Sequence, residues 1–402
     1  MTTAPPILIV ASGDSRLSAN RRCWPAQQAL EATVQSTLGD LGHATRRAHA
    51  PDPEAGHGFI DGQARGLEVF RAIDPQVPLI VTTAVWQYSS HVLAGLLRHR
   101  APILTLANWS GEWPGLVGLL NLNGSLTKAG IAYSSIWSVD FQDDFARRGL
   151  AEWLSGGRIV HDTSHARPLD THRWPLECQE FEVRGRAGGS HLRADRALLG
   201  VFDEGCMGMF NAIVPDHLLH PLGLFKERLS QSALYAAMRE VDDATARGHY
   251  EWLRQRGMQF RFGPDPAADL TEDQVIEGLK MYDAAATLAD RFGCDAIGIQ
   301  YQQGLKDVCV ASDLAEGLLN TPARPPVVGD GGRPVFEGRA IPHFNEVDEC
   351  AGVDALLTNR AWTALELDPS TTLHDVRWGE AVHDHGVDEF VWVFEISGAA
   401  PA

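Results

Sequence analysis

Short apolar runs alternate with longer amphipathic stretches along the first half of the chain. Four apolar runs predict buried strands, at residues 7–10, 79–82, 103–107 and 131–136. Three amphipathic stretches predict helices between them, at residues 26–41, 91–97 and 115–120. Because strands that alternate with helices form parallel sheets through crossover connections, this pattern predicts a doubly wound α/β sheet of the Rossmann or flavodoxin kind.

The second half of the chain predicts another α/β unit. Residues 161–189 are polar and rich in Arg, His, Gly and Pro, so we place a domain boundary near their end. Thr271 and Gln274 match the capping-box pattern of a helix start, and Gly293 matches a helix stop. The predicted domains are an N-terminal α/β domain, a second α/β domain and the beginning of a C-terminal β-rich domain: residues 1–188, 189–358 and 359–402.

Composition narrows the class of partner. The 402 residues carry a net charge of −18, which argues against a nucleic-acid or anionic-membrane surface, because both need clustered Lys and Arg. The six cysteines are scattered without a CxxC pair, so a reducing compartment is expected. We find no basic leader and no apolar run of about 20 residues. A cytoplasmic protein is therefore expected.

The common cofactor and nucleophile motifs are absent from the sequence. It contains no GxGxxG, no Walker A motif, no GxSxG elbow and no HExxH pair. Acids, histidines and polar groups at strand ends remain as the candidates for chemistry. Such groups suit a hard metal ion and carbohydrate chemistry.

Polar side chains near predicted strand ends are the first candidates. Gln300 and Gln302 follow a predicted strand at 296–299, and ligands of open α/β sheets lie outside the carboxyl ends of strands. Glu346 lies where a short apolar stretch meets a predicted helix. The alternative for Glu346 is an acid in a first helical turn, where the helix dipole favours it. Asp375 is a further candidate, and its alternative is a salt bridge to Arg377.

Other candidates have weaker signals. His374, His383 and His385 form a histidine cluster that would suit a metal pair on one strand face, although a polar turn is the alternative. Arg16 follows the first predicted strand and would bind hydroxyl or phosphate groups, unless it is solvated or paired. Trp86 follows another strand and would stack on a sugar face, whereas core packing is the commoner fate of Trp.

The order of several segments resembles the L-fucose isomerase family, which includes D-arabinose isomerases. The tryptophan-containing segment VWQYS (85–89), the segments FDEGCMGM (202–209) and IVPDH (213–217), and the strand IGIQYQ (297–302) resemble parts of its first two domains. Glu346, followed by Asp348 and Gly352, resembles the catalytic glutamate segment of the family. HDVR (374–377) resembles the family's ADVR segment, whose aspartate is the second catalytic acid.

This resemblance implies a metal-dependent aldose–ketose isomerase that acts on a pentose or a 6-deoxyhexose through an enediol. It implies that Glu346 and Asp375 bind the metal and exchange protons, with Mn²⁺ expected and Mg²⁺ or Co²⁺ as alternatives. It further implies that Gln300, Gln302, Trp86 and Arg16 contact the sugar. In the family the site forms between subunits of a hexamer, so a homo-oligomer is expected.

One departure from the family leaves alternatives open. The family's third metal ligand is a histidine in a C-terminal β-rich domain, and this chain ends at Ala402, soon after a predicted strand at 390–396. We expect either that this domain is missing or that His383 or His385 substitutes for the ligand. The alternative functions are a non-catalytic sugar-binding or regulatory protein and a related epimerase or lyase with enediolate chemistry.

Overall fold

The computed structural model describes residues 5–167, 175–205, 207–372, 374–384 and 386–396. These residues divide into two compact units. The first contains the described residues of Met1–Arg167, Gly208–Asn211 and Asp375–Glu395, and the second contains those of Pro168–Met207, Ala212–His374 and Ile396–Ala402. None of the helices in this described part of the chain is long and apolar enough to cross a membrane.

The first unit is built on a five-stranded parallel sheet with the strand order β2-β1-β3-β4-β5. This is the flavodoxin-like order, in which the chain direction across the sheet reverses between β1 and β3. The elements are, in chain order, β1 (Ile7–Val10), α1 (Leu17–Asp40), β2 (Thr45–Arg47), α2 (Gln63–Ala72), β3 (Leu79–Thr83), α3 (Ser90–Leu96), β4 (Ile103–Asn108), α4 (Leu116–Lys128), β5 (Ser134–Ser138) and α5 (Asp144–Gly156).

Alternate residues of the buried strands face two separate cores. Ile7 and Ile9 share one core cluster with side chains of α1 and α5. Leu8 and Val10 share the other with side chains of α2, α3 and α4. Since successive strand residues point to opposite faces of a sheet, an uninterrupted apolar run is what a sheet covered on both faces requires.

The second unit contains a three-stranded parallel sheet with the order β7-β6-β8. Its elements are, in chain order, α6 (Leu176–Asp195), β6 (Ala197–Phe202), α7 (Asp216–Leu219), β7 (Leu224–Leu229), α8 (Gln231–Glu240), α9 (Asp243–Gln255), α10 (Glu272–Phe292), β8 (Ala296–Ile299), α11 (Asp313–Leu319), β9 (Val327–Val328), β10 (Pro334–Val335) and α12 (Glu349–Ala364).

This sheet is also covered on both faces. Phe202 and Ile299 pack with α8, α9, α10 and α11. Leu199 and Val201 pack in the other cluster with α6, α7 and α12. An isolated parallel bridge from Ile297 to His343 continues the sheet beyond β8. The residues just before Glu346 therefore run beside β8, in the same direction.

The chain then forms an antiparallel hairpin of β11 (His374–Asp384) and β12 (Val387–Ile396). Several of its large apolar side chains are exposed, among them Phe390, Trp392 and Phe394. The predicted fold class, two parallel-sheet α/β units followed by a β segment, is confirmed. The domain boundaries predicted from the sequence stay predictions.

Some predicted elements differ from those observed. The strand predicted at 131–136 begins only at Ser134, and the helix predicted at 26–41 begins at Leu17 and contains Pro25. The capping box of Thr271 and Gln274 and the left-handed Gly293 at the end of α10 are confirmed. Helix α6 begins in the polar stretch at 161–189, for which no element was predicted, and it continues to Asp195. It has little apolar surface, and i,i+4 ion pairs such as Glu180–Arg184 support it.

Candidate functional site

The carboxyl edge of the sheet in the second unit carries the best-defined group of polar side chains. Chain order reverses around β6, which has β7 on one side and β8 on the other, so this edge is a topological switch point. Gln300 directly follows β8 and is buried. Its Nε2 donates to the carbonyl oxygen of Gly205 at 2.7 Å, and its Oε1 accepts from the backbone N–H of Gln303. Gln300 thereby joins the loops after β6 and β8.

Glu346 lies at the junction predicted from the sequence, between the segment beside β8 and helix α12. Its backbone is left-handed, with φ 55° and ψ 10°, and the next residue, Val347, also has a positive φ of 61°. Side chains with a Cβ avoid this region at a cost of roughly 1–2 kcal/mol per residue. Such outliers cluster at functional sites, where the surrounding structure holds them in place.

Two neutral donors bind the carboxylate of Glu346. Gln302 donates from Nε2 to its Oε1 at 2.7 Å, and the hydroxyl of Tyr301 donates to the same oxygen at 3.3 Å. Burial, and after it the charges of Asp313 and Glu346, raise the pKa of Tyr301, so its hydroxyl stays protonated. Gln302 was predicted to contact a sugar, and here its amide contacts a candidate catalytic acid. Tyr301 was missed by sequence reasoning.

Two further acids on α11 extend this group. Asp313 and Glu316 lie one turn apart. Burial raises the pKa of Asp313. Burial, and secondly the charges of Asp313 and Glu346, raise the pKa of Glu316 to about 9. Neither carboxyl oxygen of Glu316 has a hydrogen-bond partner within the residues described. The only sequence signal for this pair was two acids spaced i,i+3 on an otherwise apolar helix.

A buried ion pair anchors the helix that follows Glu346. Glu349, the first residue of α12, accepts from Lys226 Nζ at 2.8 Å and from the backbone N–H of Val214 at 2.7 Å. Both charged side chains are almost completely buried. Gly352, one turn further on, lies so close to Phe344 that a Cβ would approach the ring to 2.6 Å. These contacts fix the start of α12 and hence the turn that carries Glu346.

The first unit places Arg16 and Trp86 at its own switch point, in the loops after β1 and β3. The two loops are hydrogen-bonded to each other, since Ser12 Oγ donates to the carbonyl of Tyr88 at 2.6 Å. Arg16 donates to both carboxylate oxygens of Asp14 at 2.9 and 2.6 Å. Trp86 is partly exposed, and its indole nitrogen is buried without a partner in the described part of the structure.

Asp375 lies near the start of β11, in the first unit. Its Oδ2 is 3.3 Å from a guanidinium nitrogen of Arg377, which is the salt bridge considered as its alternative. His383 pairs with Asp388 at 2.5 Å across the hairpin. His385 and the side chain of His374 lie outside what the structure describes. The structure thus brings together Gln302 and Glu346 in the second unit, while Arg16, Trp86 and Asp375 belong to the first.

The described residues contain no group of three or more His, Cys, Asp or Glu side chains placed to hold a metal ion. Comparison with known proteins gives no family for the chain. No protein-family model matches it, and no curated protein matches it at a significant level.

Proposed function

We propose that the chain is a metal-dependent aldose–ketose isomerase of the L-fucose and D-arabinose isomerase type, acting on a pentose or a 6-deoxyhexose. The observation that carries this proposal is Glu346. It is a buried carboxylate in a left-handed backbone turn, at the carboxyl edge of a parallel sheet, with an amide and a phenol among its donors. The resemblance of residues 346–352 and 374–377 to the family's acidic segments supports the same function.

Isomerisation moves a proton between C1 and C2 of an open-chain sugar. Glu346 would take the proton from C2 of the aldose, leaving an enediolate, and return it to C1, while a second proton moves from the O2 hydroxyl to O1 to give the ketose. Uncharged donors such as Gln302 and Tyr301 orient a carboxylate without the full loss of basicity that a cationic partner brings. A well-placed general base of this kind contributes roughly 10²–10⁴-fold to the rate.

The carboxyl groups near Glu346 are of the ligand type that an oxygen-preferring divalent ion takes, although the described residues contain no group of three placed to hold one. Asp313 and Glu316 add carboxyl groups, and both oxygens of Glu316 lack a partner in the described residues. Carboxylate oxygens are the ligands that Mn²⁺ and Mg²⁺ favour. By the resemblance, Glu346 and Asp375 would hold Mn²⁺, with Mg²⁺ or Co²⁺ as alternatives. The bound ion would supply Lewis-acid stabilisation of the charge that develops on the substrate oxygens.

The remaining assignments belong to the same proposal. Arg16 and Trp86 would contact the hydroxyl groups and one face of the sugar, and Gln300 would contact a sugar hydroxyl group. The enzyme would be a cytoplasmic homo-oligomer, a hexamer by resemblance. The free cysteines in the described residues agree with a reducing compartment.

The test is a screen of aldopentoses and 6-deoxyhexoses for ketose product, with Mn²⁺ added and with EDTA as the control. We expect product only with Mn²⁺. Glu346→Gln keeps the side-chain volume and removes the base, so turnover should fall by at least roughly 10²-fold with the fold unchanged. Glu337→Gln is the matched control, because Glu337 is an exposed glutamate of the same unit.

Near-normal turnover in Glu346→Gln would refute the role of this residue. A product with the carbonyl at C1 and inverted stereochemistry would instead indicate an epimerase. Tight sugar binding without turnover, unaffected by EDTA, would indicate a non-catalytic binding protein. Mn²⁺ binding measured by electron paramagnetic resonance in Asp375→Asn tests the second acid independently of turnover.

A further inference from the structure

A groove of about 1000 Å³ lies at the amino edge of the five-stranded sheet in the first unit. Ile103 and Ser134, the first residues of β4 and β5, line it, together with residues that follow helices α3 and α4. Its volume lies at the upper end of the range of roughly 300–1,000 Å³ that is typical of small-molecule sites. This amino-edge groove therefore has room for several large side chains of a partner.

The lining of the amino-edge groove is apolar and basic. Leu97 lines it and is 48% exposed, and Pro102 lines it as an exposed residue as well. Two exposed arginines, Arg100 and Arg158, belong to the same lining. Among the described residues that line the groove none is acidic, although the whole chain carries a net charge of −18. The groove thus favours a partner that offers apolar and acidic side chains.

The hairpin of β11 and β12 presents a surface of that kind. Phe390, Trp392 and Phe394 alternate along β12, so they share one face of the strand. They are 54%, 50% and 56% exposed. Because an aromatic residue has about 150–250 Å² of surface to bury, the three leave roughly 200–400 Å² of it in water. An apolar patch of this size commonly marks an interaction site.

The hairpin is also strongly acidic. Residues 374–396 contain six acidic residues and one arginine, which gives a net charge of −5 when the histidines are neutral. Two such hairpins placed against each other would repel, because like charges that meet at an interface cost several kcal/mol. The basic lining of the amino-edge groove attracts the same charge. The groove of a second copy is therefore a better partner for the hairpin than a second hairpin is.

The two surfaces lie at opposite edges of the same sheet. Trp109, which directly follows β4, donates from Nε1 to the carbonyl oxygen of Gly379 at 2.7 Å and packs edge-on against Trp392. This contact holds the hairpin near the carboxyl end of β4, whereas Ile103 of the groove lies at the amino end, about 20 Å away along the strand. No residue of the hairpin, as far as the structure describes it, lines the groove of its own chain.

We propose that the hairpin of one copy of this chain docks in the amino-edge groove of a second copy. The aromatic face of β12 lies against the apolar lining, and the hairpin acids approach Arg100 and Arg158. Because the two surfaces differ, the contact is head-to-tail, and its repetition gives a closed ring or an open chain of copies. This inference rests on the homo-oligomer of the proposed function and gives it an interface, but it needs neither a metal nor Glu346.

The test follows the assembly state by sedimentation velocity, in EDTA, at protein concentrations of roughly 1–100 µM. Leu97→Glu places an acid in the groove, and Phe394→Glu places one on the aromatic face of the hairpin. Both side chains are about half exposed, so the fold should persist. Each change should weaken association at least roughly tenfold. Leu222→Glu is the matched control, because Leu222 is a 43% exposed leucine of the second unit, and it should assemble like the wild type.

Mixing the two variants identifies the partner. The Leu97→Glu chain keeps an intact hairpin and the Phe394→Glu chain keeps an intact groove, so an equimolar mixture should form a heterodimer and no larger species. Three results would overturn the proposal: a wild type that stays monomeric, assembly of either variant like the wild type, or a mixture that stays monomeric. A ketose assay on the same proteins tests the isomerase proposal separately, so the two failures are distinguishable.

Discussion

Replacing Glu316 by glutamine removes a carboxyl group that the folded chain holds in its neutral form. Burial, and after it the charges of Asp313 and Glu346, raise the pKa of Glu316 from 4.5 to about 9. Glutamine keeps the shape of the side chain and cannot ionise. We therefore expect Glu316→Gln to stabilise the second unit, and to do so increasingly as the pH rises.

The magnitude follows from the two pKa values. Below about pH 4.5 the group is protonated in both the folded and the unfolded chain. Between about 4.5 and 9 the unfolded chain releases a proton that the folded chain retains, so the wild type loses about 1.4 kcal/mol of stability per pH unit. Above about 9 the loss is complete. From pH 5.5 to pH 7.5 the advantage of the variant should grow by about 3 kcal/mol.

Urea unfolding at pH 5.5, 6.5 and 7.5, in EDTA, measures this difference. Hydrogen exchange of peptides from α10 and α11 reports the unfolding of the second unit separately from the first. Glu337→Gln, an exposed glutamate in the same unit, should show no such trend. The argument fails if the free-energy difference between Glu316→Gln and the wild type is the same at pH 5.5 and pH 7.5.

Three further predictions concern the framework of the candidate site. Glu346→Gly should raise the free energy of unfolding by about 1 kcal/mol, because glycine adopts the left-handed turn without strain. The same change should abolish the proposed isomerase activity. Thermal unfolding measures the first effect and a ketose assay measures the second. Lys226→Met should destabilise the chain by about 3–5 kcal/mol, because it leaves Glu349 buried without its cation. Adding Glu349→Leu should recover much of that loss. A double-mutant cycle measured by urea unfolding tests both expectations. Thr271→Ala should cost about 1 kcal/mol through the lost cap of α10, measured in the same way.

Local patterns in the sequence predicted much of the fold of both units. Strand β8 and the start and stop of α10 were predicted at the observed residues, because apolar runs, caps and a left-handed glycine are encoded over a few positions. Helix α6 was missed for the opposite reason. Its side chains are mostly exposed, and its three glycines weaken any helical signal, so no apolar periodicity marks it.

The candidate site was predicted in part. A local pattern in the sequence predicts the position of Glu346 between a strand-like segment and a helix. No local pattern predicts its contact with Gln302. These two residues are 44 positions apart, and the register beside β8 determines whether their side chains meet. The same is true of Asp313 and Glu316. Two acids on a short helix indicate a solvated face until tertiary packing buries them.

The sequence by itself determined the alternation of strands and helices, and therefore which polar residues follow which strands. These features depend on neighbours within a turn or a strand, where apolar periodicity and capping chemistry act directly. Only the tertiary structure decided that Gln302 and Tyr301 bind Glu346, and that Glu316 is buried as an acid. Burial and pairing arise between distant segments, because strand order and helix packing bring together groups whose spacing along the chain carries no signal.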